Sequence, residues 1–503
     1  MKTKKIVFSL LTVLIGIILL IPFVTTIRMS MVEYRPASGI SGSQSVGFLN
    51  FERFFSNPYH NNILSNSLAI SSVALIVGAI YTFFASSAIT SVKNNMLKFL
   101  LTFIFCIPAL IPGVLIPNIL MPSADSPLLT RFLIGVFEGL RFSSFVIFAA
   151  GFANGKPWKE GLKFAVVFVA IRLITLFTTD NNLLFLVQNP TNLNYTEAVN
   201  TYVYKLGLGG LIPNYSYSSA IDIIRILYQL VPATIGCIIL IFMFKKKNNP
   251  VQETNSRWTG ASAMAIIPAF ILIALFITGS SLFPAGGHEI IYRGYVNEFI
   301  ITFLSAFLAT GIAYGISMIC REANRIIGMI VLTLAILTTG CLVTDYLNVR
   351  DAGLFNSYLG VVMMNMSIIP VLVLVFTFIS KDISGVKKHF SLIISGFAFS
   401  FAWFWGEIFS SFVILPNPNR VPLSVYIRNA VYLNSTQELI GGSDVISSYE
   451  YRLANTPKPL SSLLYILIPL LIASAGILVG QLLLKSRRKN TNIQSNYNNY
   501  PQQ

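Results

Sequence analysis

Charged side chains interrupt several long apolar stretches of this chain. Glu138 and Arg141 lie within 130–154, and Arg172 lies within 163–188. A charge near the middle of a bilayer costs about 2.5–3.5 kcal/mol on insertion scales, so such residues usually face a cavity, a partner charge or a transported solute. Because Glu138 and Arg141 are three residues apart on a helix, we expect them to pair. They either line a solute pathway or form a local ion pair that locks two helices together.

A second set of polar and aromatic residues lies nearer the ends of the apolar stretches. Asp180 and Glu407 each lie late in their stretch, where an acid can line a pathway or reach water. Trp403 and Trp405 could stack on a sugar ring or serve as anchors at the membrane interface. The candidate substrate-pathway residues are therefore Glu138, Arg141, Arg172, Asp180, Asn365, Trp403, Trp405 and Glu407.

The patterns expected of an enzyme or of a metal site do not occur. The segment GFANGKP (151–157) has only three residues between its glycines and a proline after the lysine, unlike a phosphate-binding loop. His60, His288 and His389 are isolated, and the four cysteines lack paired spacing. We expect no catalytic residues, no metal, no bound cofactor and no enzymatic activity.

The composition indicates which elements must position these residues. Of 503 residues, 54% are hydrophobic and 11% are charged, against about 25% charged in soluble proteins. The sequence therefore predicts an all-α polytopic membrane protein. Its twelve candidate spans lie near 5–27, 63–92, 97–121, 130–154, 163–188, 220–245, 261–284, 295–320, 327–349, 357–380, 390–414 and 461–485.

The net charge of +16 follows the membrane topology. Basic residues cluster at the N-terminus and in every second connection, as in 156–163, 245–247, 381–388 and 487–489. This asymmetry places both termini in the cytoplasm and the protein in the cell membrane. The topology of the protein in the membrane thus explains the excess of positive charge, and we expect no nucleic-acid partner.

The basic segment KKKNNPVQETNSR (245–257) divides the spans into six and six. An even number of spans before the division predicts two parallel repeats. The spacings agree with two repeats. Phe164 and Phe390 open the fifth span of each half, and Asp180 and Glu407 lie late in those spans. The number of residues between Phe164 and Phe390 is almost the same as that between Asp180 and Glu407. Asn66 and Asn297 begin the two second spans with a similar separation. We expect an N-terminal half (1–245), a cytoplasmic linker (246–260), a C-terminal half (261–485) and a polar cytoplasmic tail (486–503).

Three segments are similar to a known family. These are GFLNFERFFSNPYHNNILSNSLAIS (47–71), NPTNLNYTEAVNTYVYKLGL (189–208) with SYSSA (216–220), and FAWFWGEIFSSFVILPNPNRVPLSV (401–425). They resemble the MetI-like permeases of binding-protein-dependent (ABC-type) sugar and oligosaccharide importers, with two subunits fused in one chain. The resemblance implies ATP hydrolysis on separate cytoplasmic ATP-binding subunits. It also implies an extracellular binding protein that delivers the sugar to the outer loops 189–219 and 415–460.

One feature of that family is missing from both halves. A cytoplasmic coupling helix with a Glu-Ala-Ala motif needs about 20 residues with its connections, but 155–163 and 381–389 leave room only for turns. The chain is therefore either an importer permease or a permease-derived scaffold or sensor that no longer couples to an ATPase. An ion-coupled carrier using Glu138 or Asp180 is a third alternative. The candidate contacts to a cytoplasmic partner are Lys156, Trp158, Lys159, Lys163, Lys381, Lys387 and Lys388.

Overall fold

The structure is a computed structural model. It describes the chain except for residues 1, 93, 117–125, 154, 189–191, 211, 245–267, 269–287, 381–385, 430–458 and 486–503. The predicted linker and tail lie outside the described residues. So do most of the outer loop 415–460 and Lys381.

About 82% of the structure is helical, which confirms the all-α class. Strands β1 (Val32–Glu33) and β2 (Gln44–Ser45) pair antiparallel. The helices are α1 (Lys2–Ser30), α2 (Gly39–Gly42), α3 (Leu49–Ser56), α4 (His60–Ser91), α5 (Asn95–Leu110), α6 (Pro127–Ala150), α7 (Pro157–Ile174), α8 (Asn181–Val187), α9 (Leu193–Thr196), α10 (Val199–Gly207), α11 (Tyr215–Met243), α12 (His288–Glu322), α13 (Arg325–Thr338), α14 (Leu342–Asp351), α15 (Tyr358–Asn365), α16 (Ile369–Ser380), α17 (Val386–Phe404), α18 (Phe409–Ile414), α19 (Leu423–Ile427) and α20 (Pro459–Lys485).

Several of these helices are long and apolar enough to cross a membrane. Within the described residues there are six, or seven if the bent pair α13 and α14 is one span. The six are Thr3–Ser30, His60–Ser91, Leu128–Ala150, Tyr215–Met243, Ile291–Glu322 and Tyr358–Ser380. They are compatible with a multi-pass membrane protein. Every predicted span contains a helix except 261–284, of which the structure describes only residue 268.

Asparagine side chains cap the N-termini of three of the apolar helices. The Asn94 side chain accepts from the Met96 N–H at 2.9 Å, and Asn324 accepts from Ile326 at 3.1 Å. Asn214 caps α11 in the same way through the Tyr217 N–H. These bonds satisfy backbone donors that the first helical turn leaves unpaired.

The helices pack in two sets with the same pattern of neighbours. In the first set, α4 packs against α6 and α7, and α7 packs against α11. In the second set, α12 packs against α16 and α17, and α17 packs against α20. The sets also interlock, because α11 contacts α13 while α20 contacts α5. The result is one helical body in which each set covers part of the other.

Four of the predicted spans are interrupted part-way. The span 163–188 is split into α7 and α8, and 390–414 is split into α17 and α18. Helices α13 and α14 meet at an angle of 85°. A 3-10 turn, Met366–Ile368, separates α15 from α16. At two of the breaks a glycine has positive φ, Gly340 at 79° and Gly406 at 83°, a conformation that other residues rarely adopt.

The two ends of the helical body differ. At one end, called the capped end here, β1, β2, α3 and α10 cover the helices. At the other, called the lysine end, α6 and α7 are joined by 151–156, whose described residues form turns and bends. Between α16 and α17 only five residues remain, 381–385, which lie outside the described residues. The first connection thus has no room for a docking helix, as its length predicts.

Candidate functional site

A cavity of about 230 Å³ lies where the interrupted helices meet. Its walls include Thr175, Thr178 and Asp180 from the α7–α8 break, and Phe404 and Glu407 from the α17–α18 break. The α13–α14 bend and the α15–α16 turn contribute further residues. They are Thr339, Gly340, Asn365, Ser367 and Ile368. Broken helices at membrane depth are tolerated where they line a cavity, and transporters bind solutes at such breaks.

Arg141 joins the two main breaks. Its Nη1 lies 2.7 Å from Asp180 Oδ2, and its Nη2 lies 3.6 Å from Glu407 Oε1. The guanidinium also lies over the Trp403 ring, 4.5 Å from its centroid. One buried cation from α6 is therefore shared by two acids, one from each break.

The expected pairing of Glu138 with Arg141 does not occur. Glu138 Oε1 instead accepts from Arg172 Nη2 of α7 at 2.8 Å, and both side chains are buried. Residues three apart on a helix are neighbours, but each side chain also reaches across to the adjacent helix. Here Glu138 pairs across to the adjacent helix, because α6 and α7 both pack against α4 and bring Arg172 close to Glu138.

Asn182, in the first turn of α8, fastens one break to the other. Its Oδ1 accepts from the backbone N–H groups of Ile408 and Phe409 at 3.1 and 2.9 Å. Its Nδ2 donates to Glu407 Oε2. The backbone donors that the α17–α18 break frees are therefore satisfied by a side chain from the N-terminal half.

Seven of the eight predicted pathway residues line the cavity. The exception is Trp405, which is almost fully buried elsewhere and donates its Nε1–H to the Tyr465 carbonyl at 3.1 Å. Trp403 belongs to the last turn of α17, whereas Trp405 follows the end of that helix. Asn365 lines the cavity and donates to Ser305 Oγ at 3.1 Å.

An aromatic layer closes the cavity toward the lysine end. Trp403 packs on Phe145, with ring centroids 4.4 Å apart. Phe145 and Phe148 in turn pack on Phe399 at 5.2 and 5.0 Å. These four rings come from α6 and α17, one helix of each half.

The predicted cytoplasmic contacts lie far from the cavity. Lys156 and Lys159 are exposed, and Trp158 is 68% exposed with its ring against Phe83. Lys163 is half-buried and pairs with Glu160 at 3.1 Å. Lys387 and Lys388 belong to α17, and their side chains are outside the described part of the structure.

Several charged residues near the cavity were not among the sequence candidates. Arg225 is fully buried, pairs with Asp222 at 3.4 Å and donates to Thr178 at 2.8 Å. Asp345 lines the cavity beside them. Glu298 accepts from the Gly406 and Ser424 N–H groups and so holds the α17–α18 break in place. Like Glu138, these residues are charged and lie inside apolar stretches, so the same sequence criterion would have selected them.

Within the described residues, no group of three His, Cys, Asp or Glu side chains could hold a metal ion. Comparison of the chain with protein-family models, curated proteins and solved structures finds no match. The family resemblance of the sequence therefore stays a prediction.

Proposed function

We propose that this chain is the transmembrane permease of an ABC-type importer for a small carbohydrate delivered by an extracellular binding protein. The observation that carries the proposal is the cavity between broken helices, walled by seven of the residues that the sequence selects. Transporters use such interruptions because the freed backbone groups and buried charges bind polar solutes inside the membrane. The cavity volume, about 230 Å³, is smaller than the roughly 300–1,000 Å³ of drug-sized pockets and favours a single sugar.

The proposal includes two parallel six-helix halves, and matched contacts support it. Asn66 donates through Nδ2 to the Asn194 and Glu197 carbonyls at 3.0 and 3.2 Å. Asn297, at the matching position of the C-terminal half, donates to the Asn419 and Val421 carbonyls at 3.1 and 3.0 Å. In both cases an asparagine early in the second span holds the loop that follows the fifth span.

Alternating access would involve the aromatic layer. A solute in the cavity is separated from the lysine end by Trp403, Phe145, Phe399 and Phe148. Since α6 and α17 each supply two of these rings, a separation of the two helices opens the layer. ATP binding on partner subunits would supply the energy for that movement.

The shortened connections favour a second candidate function. A connection of only six residues, 151–156, stands where the family has its docking helix. A permease-derived scaffold or sensor that holds a binding protein without moving solute would keep the fold and lose this helix. Against it stand the buried charges of the cavity, which cost insertion energy that a solute-binding role would explain.

Gentle purification followed by mass spectrometry distinguishes the two functions. We expect an ATP-binding subunit to copurify through 155–163, 245–257 and 381–389. We also expect uptake of labelled monosaccharides into sealed vesicles to require ATP. Copurification of a binding protein alone, without an ATPase, would overturn the importer proposal and leave the scaffold.

Arg172 tests whether the cavity serves transport. We expect Arg172→Ala to reduce uptake at least tenfold while membrane insertion remains intact. Since this change leaves Glu138 buried and unpaired, the double variant Glu138→Gln/Arg172→Gln removes both charges together. Arg35→Ala, at an exposed site remote from the cavity, is the control. Unchanged uptake in the double variant would make the pair purely structural.

A further inference from the structure

Among the described residues, the cavity walls carry more carboxyl groups than guanidinium groups. Its two guanidinium groups are those of Arg141 and Arg172. Its four carboxylates are those of Glu138, Asp180, Asp345 and Glu407. Four minus two leaves an excess of two negative charges when all six groups are ionised.

Neighbouring groups in the described part of the chain do not remove this excess. Asp222 and Arg225 pair with each other at 3.4 Å and cancel. Arg172 pairs with Glu138, and Arg141 is shared by Asp180 and Glu407. Asp345 takes part in none of these pairs. The carboxyl groups that lack a cation of their own are therefore Asp345 and one of the two acids that share Arg141.

The cavity walls also hold buried polar atoms that have no hydrogen-bond partner within the described residues. These include Glu138 Oε2, Asn200 Oδ1 and Thr179 Oγ1, and each of the three residues is more than nine-tenths buried. Arg172 Nε is an unpaired donor in the same wall. A buried polar atom without a partner costs about 1–3 kcal/mol, which a bound ligand recovers. Hydroxyl groups suit such a mixed set because each can donate and accept.

We infer that the cavity selects a small hydroxylated solute with a positive charge, such as an amino sugar of monosaccharide size. The inference rests on the proposed transport function and specifies its solute. A cation offsets the excess negative charge, and the offset is large because the surroundings have a low dielectric constant. Hydroxyl groups of the solute complement the polar side chains of the wall, among them Thr179, Asn200 and Arg172. An acidic sugar of the same size would add a third uncompensated negative charge.

Thiol modification measures the charge preference directly in the full-length protein. Ser410 lines the cavity and is nine-tenths buried, whereas Ser45 is exposed on β2. The four native cysteines are buried, so the unmodified chain gives the background rate. Ser410→Cys and Ser45→Cys are each treated with methanethiosulfonate reagents that carry trimethylammonium or sulfonate. Each rate is divided by the rate with a small free thiol.

We expect Ser410→Cys to favour the cationic reagent by about tenfold or more, and Ser45→Cys to show much less preference. Adding Asp345→Asn should lower the ratio severalfold at Ser410→Cys and leave it unchanged at Ser45→Cys. Glucosamine should slow the reaction at Ser410→Cys more than glucose does, and glucuronate should not slow it. Equal rates of the two reagents, or best protection by glucuronate, would overturn the inference.

The outcome is separable from that of the transport proposal. A chain with the cation preference but without ATP-dependent uptake would refute the importer function alone. A chain that takes up sugar but reacts equally with both reagents would refute the cationic solute alone. No reaction at Ser410→Cys with either reagent would mean that solutes do not enter the cavity, which overturns both.

Discussion

The α7–α8 break (175–180) and the α17–α18 break (405–408) each bring one carboxylate to the cavity, Asp180 and Glu407. Their surroundings differ. The sequence offset that relates Asp180 to Glu407 also takes Glu138 to Asn365, Arg141 to Ile368 and Arg172 to Phe399. The arginines that line the cavity therefore belong to the N-terminal half, and the corresponding residues of the C-terminal half are uncharged.

Because of this difference, the carboxyl group at each break depends on a cation that the break itself does not supply. Glu407 depends on Arg141 and Asn182, both from the N-terminal half. Asp180 shares the same arginine. A buried charge without a partner is strongly unfavourable, so the two halves stabilise each other through this cluster. Four sets of variants test this dependence, in decreasing order of expected effect.

Loss of Arg141 should have the largest effect. Arg141→Met leaves two largely buried acids, Asp180 and Glu407, without their cation, and we expect a loss of about 3–5 kcal/mol in the free energy of unfolding. Denaturant unfolding in detergent measures it. Adding Asp180→Asn and Glu407→Gln should restore most of the stability. Arg35→Met, at an exposed site, should change it by less than about 0.5 kcal/mol. A single variant as stable as the parent would show that the breaks do not depend on Arg141.

The matched positions Glu138 and Asn365 should couple to their partners unequally. A double-mutant cycle on Glu138 and Arg172 should give a coupling energy of about 2–3 kcal/mol, because the pair is charged and buried. The cycle on Asn365 and Ser305 should give about 1 kcal/mol, since only a neutral hydrogen bond is lost. Equal coupling in the two cycles would contradict the asymmetry between the halves.

Asn182 tests the uncharged link between the breaks. Asn182→Ala leaves the Ile408 and Phe409 N–H groups without acceptors, and we expect a loss of about 1–3 kcal/mol in unfolding free energy. The neighbour Asn181 also lines the cavity, but its side-chain oxygen has no partner within the described residues. Asn181→Ala is therefore the matched control and should change stability by less than about 0.5 kcal/mol. Similar losses of stability in both variants would show that the Asn182 hydrogen bonds do not hold the two breaks together.

Asn66 and Asn297 make matching contacts in the two halves, so their loss should have the same effect on stability. Each side-chain amide donates to two loop carbonyls, so Asn66→Ala and Asn297→Ala should each cost about 1–2 kcal/mol in unfolding free energy. We expect the two losses to agree within about 0.5 kcal/mol. A loss at one position only would argue against equivalent roles in two repeats.

Much of the helical framework is predictable from the sequence because long apolar stretches favour helices that bury their backbone hydrogen bonds. The bends and breaks are harder to predict. The sequence around Thr175–Asp180 contains no proline or glycine to end α7. The break is stabilised instead by Asp180, which caps α8, and by Arg225 of α11, which donates to Thr178. Such stabilisation depends on residues distant in sequence.

The order of residues alone establishes that this chain is helical and strongly apolar, and that Glu138, Arg141, Arg172, Asp180 and Glu407 carry charge where charge is costly. That cost is a property of residue type and local hydropathy, so it can be read from the linear order. The three-dimensional packing was needed to show that Glu138 pairs with Arg172, that Arg141 serves both breaks and that Trp405 lies apart from the cavity. Those outcomes depend on which helices pack together, because a buried charge takes whichever partner the packing brings within reach.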